Sequence, residues 1–177
     1  MSKPSIVLVP GAWHVPAHFS QVIEKLEDQG YVCVGVNLST NTRDPLVDGR
    51  LLGIEDDVAA IRAAVMSQLD TGHDVVVVTH SYGTVPGTAA LTGLSLKARK
   101  TAGKSNGSYG VNTSIIPDQV AGIAGIPNAA VKTLRENGVH VFAEVAKSGH
   151  SPFLKLPEET AKFIRKAAGE DIETGFS

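Results

Sequence analysis

The sequence is short of several things, and each shortage excludes something. Cys33 is the single cysteine in 177 residues, so neither an intrachain disulfide nor a cysteine-based metal site can form. It lies inside an apolar run, where a thiol packs as a small inert hydrophobe. No stretch approaches the roughly 20 apolar residues that span a bilayer. Ile6–Val9, ahead of Pro10-Gly11, is too short for the core of a secretory signal and is followed by no cleavage pattern. Charge of one sign is also scarce: 16 basic against 18 acidic side chains leave a formal net charge of −2, with no long run of either sign. That balance offers no surface for nucleic acid or an anionic membrane. The expectation is a single soluble, cytoplasmic domain over residues 1–177, long enough for a sizeable core.

What is present is concentrated in Asp74–Leu91, DVVVVTHSYGTVPGTAAL. Four consecutive valines, β-branched and without polar alternation, predict a strand buried on both faces of a parallel sheet. After Gly83 the spacing of Val85, Ala89, Ala90, Leu91 and Leu94 becomes helical. Pro86 is tolerated in a first turn, whose N–H groups lack intrahelical partners. Ser81 therefore sits where a buried strand turns sharply into a helix, the setting of a nucleophile elbow. Thr79 stands where the G-x-S-x-G pattern has its first glycine, and Gly83 supplies the last. An ordinary small residue in a strand-to-helix turn would also fit at Ser81.

The rest of the chain supplies alternating partners. Ser5–Val9 reads as a first buried strand, Val15–Gln29 as an amphipathic helix ended by Gly30, and Tyr31–Val36 as a second strand. Asn37–Gly53 reads as a loop. Glu55–Leu69 reads as a helix with Val58, Ile61, Val65 and Leu69 on one face. Strands alternating with helices predict an α/β fold: a mostly parallel sheet covered by helices on both faces. Residues 97–112 are basic, rich in Gly and Ser and aperiodic, and read as a flexible connection. Beyond it come a short strand at Thr113–Ile116, a helix at Ala129–Asn137, an outer strand at Val139–Val145 and a last helix at Pro157–Ala168. Residues 169–177 read as a loose tail.

With these pieces placed, the chain resembles the α/β-hydrolase fold family, particularly its small esterase-like members. VLVPGAWH (Val7–His14) is similar to the family's first-strand loop, with Pro10 where a histidine is common. VTHSYG (Val78–Gly83) resembles the nucleophile elbow, and SGHSPFLKLPEETAKFI (Ser148–Ile164) the catalytic-histidine loop and closing helix. Members usually place another strand and a helical lid between the nucleophile helix and the acid-bearing strand. Only about Lys100–Asn112 is available here, so the resemblance implies an α/β-hydrolase-like fold without its lid. Either one strand is missing as well, or Val111–Ile116 takes its place.

The resemblance implies roles residue by residue. Ser81 would be the nucleophile, His150 the base that takes its proton, and Asp118 the acid that fixes the tautomer of His150. Glu144 is a second candidate for the acid. Ala12 and Tyr82 would contribute oxyanion N–H donors, with Gly11 letting the loop backbone come close. Trp13 and His14 would line a substrate pocket with Gly11, although Trp13 would also suit packing under the loop. His80 reads as structural or pocket-lining, because an elbow turns the residue before the serine away from its hydroxyl. His18, His73 and His140 have no partner at ligand spacing, so neither a metal nor any other cofactor is expected.

The function these roles imply is hydrolysis of a small-molecule carboxylic ester through an acyl-enzyme on Ser81. Two alternatives stay open: lyase-type proton transfer on the same fold, and a binding protein or inactive relative without chemistry. No nucleic-acid or membrane partner is expected, and a homodimer stays open as a way to cover pocket walls that lack a lid.

Overall fold

The computed structural model describes residues 3–103, 109–115, 132, 136, 144 and 146–176. The valine run forms β5 (Val75–His80), every residue of it buried. On one side it pairs in parallel with β1 (Ser5–Val9), in register from Ser5 opposite Val75 to Val9 opposite Thr79. On the other side it pairs in parallel with β6 (Tyr109–Ile115), which ends with Ile115 opposite His80. Parallel pairing of β1 with β2 (Cys33–Gly35) completes the sheet in the order β2-β1-β5-β6.

Both faces of this sheet are covered at β1 and β5, which is why those two strands carry apolar residues without alternation. Val7, Val9, Val75 and Val77 pack against Ile61, Val65 and Leu69 of α2 (Ile54–Leu69) and Ala90 of α3 (Thr84–Ala90). Ile6, Leu8, Val76 and Val78 face the opposite layer, with Val22 and Leu26 of α1 (Ser20–Glu27). Phe153 of α5 (Pro152–Lys155) and Ala161 and Ile164 of α6 (Pro157–Ala167) complete that layer. Burial also pushes the Cys33 thiol up to about 12, far from a reactive thiolate.

The strand order places the site. The chain leaving β1 runs to α1 on one face, and the chain leaving β5 runs to α3 on the other. Neighbouring strands whose connections part to opposite faces open a crevice at their carboxyl ends, where ligands of open α/β sheets bind. Here the two segments at that switch point are the loop after Val9 and the turn at Ser81.

The structure corrects several expectations. A short antiparallel hairpin, β3 (Leu46–Val47) with β4 (Arg50–Leu51), interrupts the region read as a loop. Its turn is Asp48-Gly49, both at positive φ, the conformation that an Asp-Gly pair favours. The stretch read as a flexible connection over 97–112 contains most of α4 (Leu96–Thr101) and the first half of β6. β6 pairs directly with β5, so this segment does take the position beside the nucleophile strand. The tail after Gly169 is fastened rather than loose. Glu170 accepts hydrogen bonds from Tyr31 Oη at 2.7 Å, Lys3 Nζ at 3.0 Å and Arg165 Nη2 at 2.6 Å, while the Thr174 hydroxyl bonds Glu144. The helices predicted at Ala129–Asn137 and the strand at Val139–Val145 fall largely outside the described residues.

Thr79 shows how α3 can lie on β5 without the usual glycine. A Cβ added at Gly87 would sit 2.7 Å from the Thr79 methyl, so the missing side chain has moved from the strand to the helix. Gly87→Ala should therefore destabilise by about 1–2 kcal/mol, overpacking outweighing the roughly 1 kcal/mol that alanine gains in a helix. In a Thr79→Ser background, which lacks that methyl, the same substitution should become neutral or stabilising. Urea midpoints of the four proteins check the sign change.

Candidate active site

Ser81 has φ of +50°, one of three non-glycine residues at positive φ among those described. An L-residue pays of order 1 kcal/mol or more for that conformation, which persists only where its surroundings impose it. The imposition is visible. A Cβ at Gly83 would collide with the Pro10 carbonyl oxygen and lie 3.0 Å from Val9 Cγ1. A Cβ at Gly11 would lie 2.7 Å from His80 Nδ1 and 3.1 Å from Ser81 Cβ. The elbow and the loop after β1 are thus in backbone contact, and glycine is needed on each side of it. After Ser81 a short 3₁₀ turn, Ser81–Gly83, runs into α3. Its first N–H groups, that of Tyr82 included, have no intrahelical acceptor.

The loop Pro10–His14 is held by a residue that sequence reasoning missed. Asn41 donates through Nδ2 to His14 O at 2.5 Å and Gly11 O at 3.3 Å, and its Oδ1 accepts from Trp13 N at 3.1 Å. Ala12 lies between these clamped residues, next to Trp13 at φ +60°. The Trp13 ring is 92% exposed, so it does not pack under the loop. His14 bridges two segments. Its Nδ1 donates to Ala12 O at 2.9 Å, which leaves Nε2 to accept from the Ser151 hydroxyl at 3.2 Å. The only sequence signal for Asn41 was its place in an Asn- and Thr-rich loop.

His150 arrives from the far end of the chain, on an exposed loop just before α5. Its carbonyl accepts a 3.0 Å hydrogen bond from Nε2 of His80, and the two rings stand 4.9 Å apart between centroids. The histidine loop is thereby tied to the residue preceding Ser81. Among the described residues, the Ser81 hydroxyl and the His150 ring make no hydrogen bond to one another, as is common before substrate binds. Asp118 lies outside the described residues. Glu144 is engaged elsewhere, by Lys166 Nζ at 3.1 Å and by Thr174. No group of three or more His, Cys, Asp or Glu among the described residues is placed to hold a metal ion.

His80 is fully buried, its ring edge-on to His14, His150 and Phe153. Burial lowers its pKa to about 4, against the pull of the His150 carbonyl, with His14 and His150 adding to the depression. It is therefore a neutral ring, Nε2–H donating and Nδ1 carrying a lone pair that meets no hydrogen-bond partner among the described residues. Instead Nδ1 faces the Cα of Gly11, within the reach of the Cβ that glycine lacks. Its part is structural: it joins the loop after β1, the elbow and the histidine loop.

A sequence profile described as the alpha/beta hydrolase family matches residues 6–127. Over 97 residues, 55% of this chain, the sequence is 36% identical to alpha/beta hydrolase nvfD of Aspergillus novofumigatus and 37% identical to the probable hydrolase R7 of a Phoma species. Those matches take in 37% and 39% of the two relatives, so this chain spans about two-fifths of the proteins it matches. Among solved structures, tomato methylketone synthase I complexed with 2-tridecanone aligns with a TM-score of 0.48 at 14% identity, over 94% of this chain and 67% of that one. No helix among the described residues is long and apolar enough to cross a membrane.

The buried neutral His80 sets a pH dependence of stability. Its folded pKa lies below the unfolded value of roughly 6.5, so between about pH 6.5 and 4 the unfolded chain binds a proton that the folded chain refuses. Stability is fully present above that window and should be lost as pH falls through it, by an amount on the order of 3 kcal/mol. His80→Phe keeps a ring in the cavity and removes the proton. The slope of unfolding free energy between pH 6.5 and 4 should flatten in that variant, and an unchanged slope would assign it to other groups.

Proposed function

The chain belongs to the alpha/beta hydrolase family, and on that footing we propose that it is a serine hydrolase cleaving a carboxylic ester of a small molecule. The observation that carries the reading is Ser81, held at φ +50° where β5 meets a helix start, with the His150 loop tied to its neighbour His80. A serine in an ordinary turn needs no such backbone strain. Strain kept by two close glycine contacts is what an exposed, pre-aimed hydroxyl requires.

In the proposed reaction Ser81 Oγ attacks the ester carbonyl carbon as the His150 imidazole takes the hydroxyl proton. The carbonyl oxygen becomes an oxyanion and receives the N–H groups of Ala12 and Tyr82, the second at a helix N-terminus whose dipole favours negative charge. Collapse expels the alcohol, which takes the proton from His150. Water then attacks the acyl-Ser81 carbonyl, His150 removing its proton, and the acid leaves as Oγ regains a hydrogen. Asp118 is the proposed partner that holds His150 in the required tautomer. Gly11, Trp13 and His14 border the substrate, and the exposed Trp13 indole offers an apolar face at the mouth.

Ser81→Ala should lower hydrolysis of an activated ester such as p-nitrophenyl butyrate by roughly 10⁴- to 10⁶-fold without loss of fold, since alanine is no larger than serine. His150→Ala should cost a comparable factor, and the double variant little more than either, because a nucleophile and its base act as one unit. Steady-state rates of the four proteins decide. Retained turnover in Ser81→Ala with loss in His150→Ala would move the site to proton-transfer chemistry of the lyase type. An inactive wild type would leave a binding protein.

A further inference from the structure

Asp57, in the first turn of α2, is 0% exposed and has no role in the chemistry above. No ion pair to it is formed among the described residues. A buried carboxylate without a cation costs several kcal/mol unless hydrogen bonds replace its water. Three do so here. Oδ1 accepts from Thr40 N at 3.0 Å, and Oδ2 accepts from Thr40 Oγ1 at 2.7 Å and Tyr82 Oη at 2.8 Å. The N-terminus of α2 adds a favourable dipole. An apolar residue on this stripe, four positions before Ile61, would anchor the helix without any of these requirements.

What the three bonds join is informative. Tyr82 is the residue whose backbone N–H is the proposed oxyanion donor on the elbow side. Thr40 adjoins Asn41, whose side chain grips Gly11 O, Trp13 N and His14 O, the residues flanking Ala12. Ser39 Oγ and the turn bond from Asn41 N to Leu38 O brace the same segment, at 3.3 Å and 3.1 Å. One carboxylate therefore touches the supports of both proposed oxyanion donors, which belong to different loops, and it brings the Thr40 and Tyr82 hydroxyls together on one oxygen, Oδ2.

Building on the hydrolase reading above, we propose that Asp57 is a positioning residue that fixes the separation of the two oxyanion donors, Ala12 N–H and Tyr82 N–H. It acts on the first through Thr40 and Asn41 and on the second through the Tyr82 side chain. Both donors must lie within hydrogen-bond reach of one oxygen only in the transition state. A small change of their spacing should therefore lower kcat and leave KM alone.

The test uses the full chain and two readouts. In ¹⁵N-labelled protein, Asp57→Asn should shift the amide resonances of both Ala12 and Tyr82, while Val77 in the core strand stays in place. In an Asn41→Ala background the same exchange should still move Tyr82 but no longer Ala12. Tyr82→Phe, which removes one hydroxyl and spares the buried carboxylate, should move Tyr82 alone, and it serves if Asp57→Asn fails to fold. On p-nitrophenyl butyrate, Asp57→Asn should lower kcat about tenfold at unchanged KM. A trifluoromethyl ketone, which forms a hemiketal oxyanion on the serine, should then bind more weakly by the same factor. An Ala12 resonance indifferent to Asp57, or a loss confined to KM, overturns the proposal. If the wild type hydrolyses no ester, the hydrolase reading fails, and the amide pattern still decides whether Asp57 couples the two loops.

Discussion

An elbow carrying Ser81 at φ +50° lies directly against the loop that leaves β1, and the contact leaves no room for a side-chain carbon on either partner. Gly83 faces the Pro10 carbonyl, and Gly11 faces the His80 ring and Ser81 Cβ. The rest of the site follows from this approach. It sets a helix start against a second loop, and it seats His80 where its Nε2 can reach the His150 carbonyl. Sheet topology makes the approach unavoidable, since β1 and β5 are neighbours whose following helices lie on opposite faces. Parallel pairing over five residues fixes the height at which both loops emerge.

The side chains that hold this contact bond mainly to backbone carbonyls. His80 is kept uncharged by burial, and one consistent set of tautomers lets His14 bridge Ala12 O and Ser151 while His80 serves His150 O. A neutral His80 ring can be packed edge to edge with His14 and Phe153, where a charged one would demand water. Asp57 is the exception, a buried carboxylate whose three hydrogen bonds replace its solvent. Its place one turn before Ile61 puts it on the same buried stripe as the core of α2.

Much of this was legible in the sequence wherever a repeating pattern carried it. Four valines in a row announced a strand buried on both faces, and the change to helical spacing after Gly83 located the turn at Ser81. The last helix and the histidine loop before it were equally plain. Long-range polar contacts leave no such period. Asn41 lay in a stretch read only as a loop and Asp57 in a stretch read only as a helix, although the spacing of Asp57 four and eight residues before Ile61 and Val65 was a readable hint. Thr79 read as a departure from the glycine pattern, because its compensation by Gly87 lies eight residues away on the next element. Composition misled at both ends of the middle segment. Basic, Gly- and Ser-rich residues still form the end of α4 and the start of β6, and polar residues of the tail are anchored through Glu170 and Thr174.

The central claim is that the strained hydroxyl of Ser81 is the nucleophile. Reaction of the protein with an active-site-directed alkyl phosphonate, followed by peptide mass mapping, tests it most directly. The account predicts one adduct per chain, on the peptide carrying Ser81, and loss of ester turnover in step with its formation. An adduct on another residue, or undiminished turnover after Ser81 is fully labelled, would contradict it.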